Sequence, residues 1–104
     1  MKDAILKKIS PRGFEVIAER FKALSEVSRL QIVQALQAGE KSVNQLVEET
    51  GLGQPNVSRH LKILQVAGLI AKRKEGLNVY YRIIDQLVNE LCAVVCKNIP
   101  PHER

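Results

Sequence analysis

The chain has 104 residues, 16 basic against 11 acidic side chains, a net charge of +5 and two cysteines. This length corresponds to one domain with a core of its own, and two cysteines are too few for a disulfide framework. No apolar run is long enough to cross a membrane and the start does not resemble an export signal, so we expect a cytoplasmic protein without a membrane partner, whose positive charge favours an anionic partner.

Residues 1–13 mix apolar residues with lysines and end in a turn-like cluster at residues 10–13, which predicts a separate N-terminal arm. From Phe14 onwards, apolar residues that include Ile17 and Phe21 recur at helical spacing. This pattern predicts an amphipathic first helix with large aromatic side chains on its apolar face, suited to docking on this chain or on a second copy.

The next predicted helix has two candidate N-caps, Ser25 and Ser28. Gln31 follows Ser28 by three residues and completes a capping-box pattern. Apolar residues within 30–36 supply the face that we expect to be buried, and Gly39 ends the helix.

Two further helices are predicted with only a short connection between them. A capping box at residues 42–45 opens the first of them, which ends at Gly51. Pro55 suits the first turn of the second, which ends at Gly68. A short glycine-containing turn before a polar, basic helix predicts a helix-turn-helix, although a generic helical hairpin would show similar periodicity.

The polar face of this second helix, between Gln54 and Lys62, contains no carboxylate, which suits phosphates and base edges. We predict that Arg59 and Lys62 contact phosphates and that the amide, hydroxyl and imidazole side chains read bases, with Arg59 able to serve either purpose. His60 flanks the apolar stripe, so a packing role is an equal alternative. The predicted DNA-contacting residues of the helix-turn-helix are Ser42, Gln54, Asn56, Ser58, Arg59, His60 and Lys62.

After Leu69 the apolar period changes from 3.6 to 2. Two β-rich runs, 70–74 and 79–83, flank a glycine-containing loop at 75–78 and predict a β-hairpin. A helix-turn-helix followed by a hairpin is the winged-helix arrangement. Three basic residues of the wing are predicted to lie along the DNA backbone or to reach a minor groove, unless they only protect a sheet edge. They are Lys72, Arg73 and Lys74.

Asp85 is the predicted N-cap of a final helix, which stops at Pro100. Its apolar face is broader than one small core needs, so we expect a homodimer through the first and last helices; a single core that absorbs both faces is the alternative. The fold is then mostly α, about five helices and a wing over residues 14–99, with a tail at 100–104. The predicted interface consists of Phe14, Ile17, Phe21, Leu87, Leu91, Val94 and Val95.

Cys92 and Cys96 lie four residues apart on the last predicted helix and share a face. They are either core residues beside the apolar stripe or a thiol sensor. A disulfide between them would strain the helix because their Cβ vectors run parallel. The four thiols of a dimer could also bind a thiophilic ion such as arsenite or Zn²⁺, and no other cofactor is expected.

Catalysis is not expected from this sequence. Ser58 and His60 are two apart on a helix and point to different faces, and no glycine-rich phosphate loop or pair of carboxylates in an apolar setting is present. A winged-helix module that binds proteins rather than DNA is the remaining alternative.

The segments LSEVSRLQIVQAL at 24–36 and QPNVSRHLKILQVAGLI at 54–70 resemble the ArsR/SmtB family of bacterial winged-helix repressors, and the similarity extends over roughly residues 14–98. The resemblance implies a homodimer that binds a palindromic operator and releases it, or changes its grip, when an inducer binds. Residues 41–46 lack the cysteines of typical metal-sensing members, and Asp85 is not accompanied by the histidines of others. Neither familiar metal site can therefore be assigned here.

Overall fold

A computed structural model describes residues 8–104, so most of the predicted N-terminal arm lies outside the described residues. None of the helices within this range is long and apolar enough to span a membrane. In chain order the elements are α1 (Pro11–Leu24), α2 (Val27–Gln37), β1 (Lys41–Ser42), α3 (Val43–Thr50), α4 (Gln54–Val66), β2 (Ile70–Glu75), β3 (Asn78–Ile83), α5 (Gln86–Lys97) and a 3₁₀ turn at Pro101–Glu103. This order confirms the predicted winged helix-turn-helix, with α3 and α4 as the helix-turn-helix and β2 and β3 as the wing.

Helix α1 begins inside the predicted arm, three residues before Phe14. Ser10 is its N-cap, and the Ser10 hydroxyl oxygen accepts a hydrogen bond from the Gly13 amide at 2.9 Å. Pro11 occupies the first turn, where backbone N–H groups have no acceptor within the helix, so the missing N–H of proline costs no hydrogen bond. The cluster interpreted as a turn is therefore the start of a helix.

Glu26, rather than Ser25 or Ser28, is the N-cap of α2. Its carboxylate accepts a hydrogen bond from the Arg29 amide at 2.9 Å. Ser25 instead donates its hydroxyl to the Phe21 carbonyl at 2.8 Å and ends α1. The prediction of a serine N-cap was wrong because the Glu26 carboxylate, next to Ser25, accepts the capping hydrogen bond instead. Its negative charge also interacts favourably with the positive end of the helix dipole.

The core joins the inner faces of the helices to the base of the wing. On α4, Val57, Leu61 and Leu64 are fully buried, as their spacing predicts. Burial of each such side chain stabilises the fold by about 1.5–3 kcal/mol, which fixes the face of α4 that turns outward. The side chains with less than 2 % exposure are Ile32, Val33, Leu46, Val57, Leu61, Leu64, Leu69, Ile70 and Val88.

The wing strands β2 and β3 belong to an antiparallel sheet of three strands in the order β1-β3-β2. The predicted four-residue loop is shorter, because Glu75 pairs with Asn78 and only Gly76 and Leu77 turn the chain. Gly76 has φ +61°, a conformation that a two-residue hairpin turn requires at its first position and that glycine adopts without strain. Strand β1, which pairs Lys41 with Tyr81, was not predicted because two residues show no period.

Candidate nucleic-acid interface

Helix α4 exposes a continuous polar face that contains no carboxylate. Gly53 caps the helix without a side-chain hydrogen bond, so first-turn amides keep their capacity to bind an anion. The exposed members of this face are Gln54, Asn56, Ser58, Arg59 and Lys62. Cationic and amide side chains beside helix-start amides match the donors that contact phosphate oxygens and base edges in DNA.

Asn56 and Arg59 interact with each other on this face. The Arg59 Nη2 donates a hydrogen bond to the Asn56 Oδ1 at 3.3 Å, one helical turn away. The contact holds the Arg59 guanidinium close to the first turn of α4. It therefore orients the residue for which the sequence left both base and phosphate contacts open.

His60 does not share this exposed face. Of the two roles that the sequence left equally open, the structure shows packing and not a base contact. Only 4 % of its surface is exposed, since it points from α4 towards the start of α2. Its Nδ1 lies 3.2 Å from the Arg29 Nη1, and its Nε2 lies 3.8 Å from the Glu26 Oε2. Burial lowers the pKa of His60, and the charges of Arg59 and Arg29 act in the same direction against the opposing effect of Glu26. The ring is thus a packed, neutral acceptor at pH 7.

Ser42 is the N-cap of α3. Its hydroxyl oxygen accepts a hydrogen bond from the Gln45 amide at 3.2 Å, while the Gln45 side-chain oxygen accepts from the Ser42 amide at 2.8 Å. Both halves of the predicted capping box are present. The side chain assigned to DNA contact therefore also fixes the start of the first helix of the helix-turn-helix.

On the wing, the three predicted cations are all exposed but differ in their partners. Arg73 donates to the Glu40 carboxylate at 2.6 Å and to the Glu75 carboxylate at 2.7 Å, and its guanidinium carbon lies 5.0 Å from the centre of the Tyr80 ring. Hydrogen bonds to Glu40 and then Glu75 raise the pKa of Arg73, and the Arg73 hydrogen bond lowers the pKa of Glu40. Two carboxylates thus balance this charge, which leaves Lys72 and Lys74 as the better candidates for phosphate contact.

Glu40 is a site residue that the sequence analysis missed. It precedes β1 and reaches Arg73 across 33 positions of sequence, so no local pattern marks the pair. A charged residue directly after a helix-ending glycine is too common to indicate a partner. The contact ties the wing to the segment that leads into α3.

A second surface lies between α1 and α5 and is apolar. Ile17, Phe21, Leu87 and Leu91 line an open groove with a volume of about 60 Å³. At its edge, the Arg20 Nη1 donates to the Asp85 carboxylate at 2.8 Å. The predicted interface side chains Phe14, Phe21, Leu87, Val94 and Val95 are all 50–60 % exposed. Monomeric proteins rarely keep such a patch in water, which favours a partner on this surface.

The family model of bacterial regulatory proteins of the arsR family matches residues 26–72, from α2 into the wing. The transcriptional regulator KmtR of Mycobacterium tuberculosis is 33% identical over 96 residues, which cover 86% of this chain and 74% of KmtR. This chain belongs to the arsR family. The membership confirms the resemblance and the predicted class of function, transcriptional regulation.

Solved structures of bacterial transcriptional regulators have the same fold. The solution structure of a homodimeric winged helix-turn-helix DNA-binding domain from Mycobacterium bovis, a possible ArsR-family regulator, gives a TM-score of 0.75 at 36% identity and covers 83% of this chain and 82% of that chain. The crystal structure of the transcriptional repressor BigR from Xylella fastidiosa gives 0.70 at 33% identity and covers 90% of this chain and 95% of that chain.

This arsR-family chain carries its two thiols on α5. Cys92 packs against the core and is half-buried, whereas Cys96, one turn further on, is exposed. Burial raises the pKa of the Cys92 thiol. Within residues 8–104, no three His, Cys, Asp or Glu side chains gather in a way that could hold a metal ion.

Proposed function

We propose that this protein is a homodimeric transcriptional repressor that places α4 of each protomer in the major groove of an imperfectly palindromic operator. The observation that carries the proposal is the exposed, carboxylate-free face of α4, held outward by the buried Val57, Leu61 and Leu64 on its other side. Two-fold symmetry then requires half-sites about one helical turn, or a multiple of it, apart.

The side chains of this surface divide by chemistry. Gln54, Asn56 and Ser58 have the hydrogen-bonding groups that read base edges, and their exposed positions at the start of α4 leave them accessible. Arg59 and Lys62 suit phosphates. Lys72 and Lys74 of the wing suit them too, because they do not share the double carboxylate pairing of Arg73. In this proposal Arg73 holds the wing to Glu40 and has little charge left for the DNA backbone.

The second copy docks on the groove between α1 and α5. Its apolar side chains are half exposed in a single protomer, and an isologous contact would cover both copies with the same surface. Such a dimer fixes the distance between the two α4 helices, so an inducer that changes the α5 contact also changes the fit to the operator.

Fluorescence anisotropy with a duplex from the promoter region upstream of the protein's own gene tests the proposal. Arg59→Ala should weaken binding by about 1–3 kcal/mol, and wild-type affinity should fall steeply with salt because phosphate contacts release counterions. Arg12→Ala is the matched control, since Arg12 is an exposed arginine on α1 that pairs with Glu15. Salt-insensitive binding, or equal effects of the two substitutions, would instead favour a winged helix that binds protein.

Cys92 and Cys96 are the proposed sensor, because an exposed thiol and a half-buried thiol sit one turn apart on the helix that carries the dimer face. Oxidation by hydrogen peroxide would join the two sulfur atoms, with two electrons and two protons passing to peroxide, which becomes water. The bond would distort α5, since the two Cβ vectors run parallel. A thiophilic ion shared between protomers is the alternative effector.

Operator release by peroxide, polysulfide, arsenite or zinc, compared between the wild type and the Cys92→Ser/Cys96→Ser double variant, tests this assignment. We expect at least one agent to release the wild type and to leave the variant bound. Equal binding of both proteins with every agent would place the inducer site elsewhere.

A further inference from the structure

A small polar cluster joins the buried face of α4 to the start of α2. His60 is the one buried polar side chain among residues 8–104, and it lies in the middle of the helix that faces the candidate ligand. Its two ring nitrogens face different groups: Nδ1 is 3.2 Å from the Arg29 guanidinium, and Nε2 is 3.8 Å from the Glu26 carboxylate. The ring therefore forms a polar connection between two helices that otherwise meet through apolar side chains.

Both partners of His60 are themselves fixed to the backbone. Glu26 caps α2 by accepting the Arg29 amide at 2.9 Å. The Arg29 Nε donates to the Ala23 carbonyl, near the end of α1, at 2.6 Å. Neither side chain can follow a change at the imidazole without loosening a helix end, so the geometry at His60 is restrained from two sides.

Only one protonation state of the ring fits these partners. A guanidinium can only donate, so Nδ1 must accept, and the ring proton must lie on Nε2, where it faces Glu26. A second proton would place an Nδ1–H against the Arg29 N–H groups, in a site almost closed to water. The charged groups around the ring are Glu26 and Arg29 from α2 and Arg59 from α4 itself.

We propose that Glu26 and Arg29 are positioning residues that hold α4 in its DNA-binding pose through a neutral His60, so that proton uptake by His60 in mild acid breaks this polar contact between α4 and α2 and weakens operator binding. The inference rests on the proposed function but adds a regulatory property to it. The direction of the pKa agrees: it is lowered from 6.5, chiefly by burial. The contribution of the cluster is therefore complete above pH 6.5 and is lost as the pH falls through the folded pKa.

The sequence offers a clean test because it contains only two histidines, and the other, His102, is exposed in the C-terminal 3₁₀ turn. Operator affinity is measured by anisotropy from about pH 7.5 to about pH 5.5 at constant ionic strength, the range in which histidine titrates. Wild-type affinity should fall with acid by up to about tenfold per protomer for each pH unit below the pKa of His60. His102→Gln should behave like the wild type.

His60→Asn keeps an acceptor near the Nδ1 position and removes the titration, so its affinity should not change across the range. The proposal is overturned if wild-type affinity stays constant or rises as the pH falls, or if His60→Asn loses affinity with acid as steeply as the wild type. Affinity that rises with acid is the result expected of an exposed histidine near phosphates. Far-UV circular dichroism is recorded at every pH. Loss of helix in parallel with loss of binding also overturns it, because acid would then unfold the chain and not release α4.

The titration of His60 in the free protein, followed by NMR of the imidazole protons, tests the two partners. Arg29→Gln should raise the midpoint, because a repelling cation is removed, and Glu26→Gln should lower it, because an attracting anion is removed while an oxygen remains to cap α2. Midpoints that do not move, or that move the other way, contradict the assignment. Absence of DNA binding at pH 7.5 would refute the proposed function, whereas the NMR midpoints need no DNA and judge the cluster separately.

Discussion

Phe21 offers the sharpest test of the surface between α1 and α5. It lines the groove there and belongs to the apolar face that the proposed dimer would cover. Phe21→Ala removes the ring and leaves the α1 backbone unchanged, because alanine is the best helix former. We expect this substitution to shift the protein from dimer towards monomer with little effect on the fold of each protomer.

The expected magnitude follows from the exposure of Phe21. Its side chain is 52 % exposed, and a fully covered phenylalanine buries about 200 Å², so about 100 Å² is available to a partner. At about 25 cal/mol per Å², this area contributes about 2.5 kcal/mol in each protomer. Two-fold symmetry doubles the loss to about 5 kcal/mol, which raises the dimer Kd by about three orders of magnitude or more.

Sedimentation equilibrium over a range of protein concentrations measures the Kd directly. Leu77→Ala is the matched control, because Leu77 is fully exposed at the wing tip and does not line the groove. The control should dimerise like the wild type. A Phe21→Ala protein that dimerises as tightly as the wild type, or a wild type that stays monomeric at working concentrations, would refute the assignment of this surface.

Four further substitutions test the site and the core. Lys74→Ala should lower the slope of log affinity against log salt by about one unit, whereas Arg73→Ala should change it less because two carboxylates already balance that charge; salt titrations of anisotropy compare them. Leu64→Ala, at a fully buried position of α4, should destabilise the fold by about 2–5 kcal/mol in urea unfolding. Glu40→Ala should destabilise the protein near neutral pH. Its free energy of unfolding should approach that of the wild type as the pH falls through the lowered pKa of Glu40, which unfolding curves at several pH values measure.

Local signals in the sequence were sufficient for the helix-turn-helix and the wing. The capping box at Ser42 and the apolar spacing of α4 depend on residues three or four apart, so the sequence specifies them without reference to tertiary contacts. Gly76 similarly restricts the hairpin turn through its positive φ. These features locate the exposed face of α4 without knowledge of the rest of the fold.

Features that depend on distant residues could not be found in this way. Glu40 meets Arg73 across 33 positions, and His60 meets Arg29 across 31. The burial of His60 had a local signal, because it follows Val57 by three residues and so lies next to the buried stripe of α4. The sequence left a packing role and a base contact equally open, and only the distant guanidinium and carboxylate explain why an imidazole is stable at a buried position.

The two surfaces of the protein are joined by a short chain of contacts. Phe21 lies in the groove, and two residues later the Ala23 carbonyl accepts a hydrogen bond from the Arg29 guanidinium. Arg29 in turn contacts His60, on the side of α4 opposite its exposed polar face. A displacement of α1 at the proposed dimer face must therefore either lengthen the 2.6 Å hydrogen bond from the Arg29 Nε to the Ala23 carbonyl or move Arg29 as well. Because the inner face of α4 is otherwise held by apolar contacts, we expect a change in subunit packing to reach α4 through this polar chain, and measured coupling between the two surfaces tests that expectation.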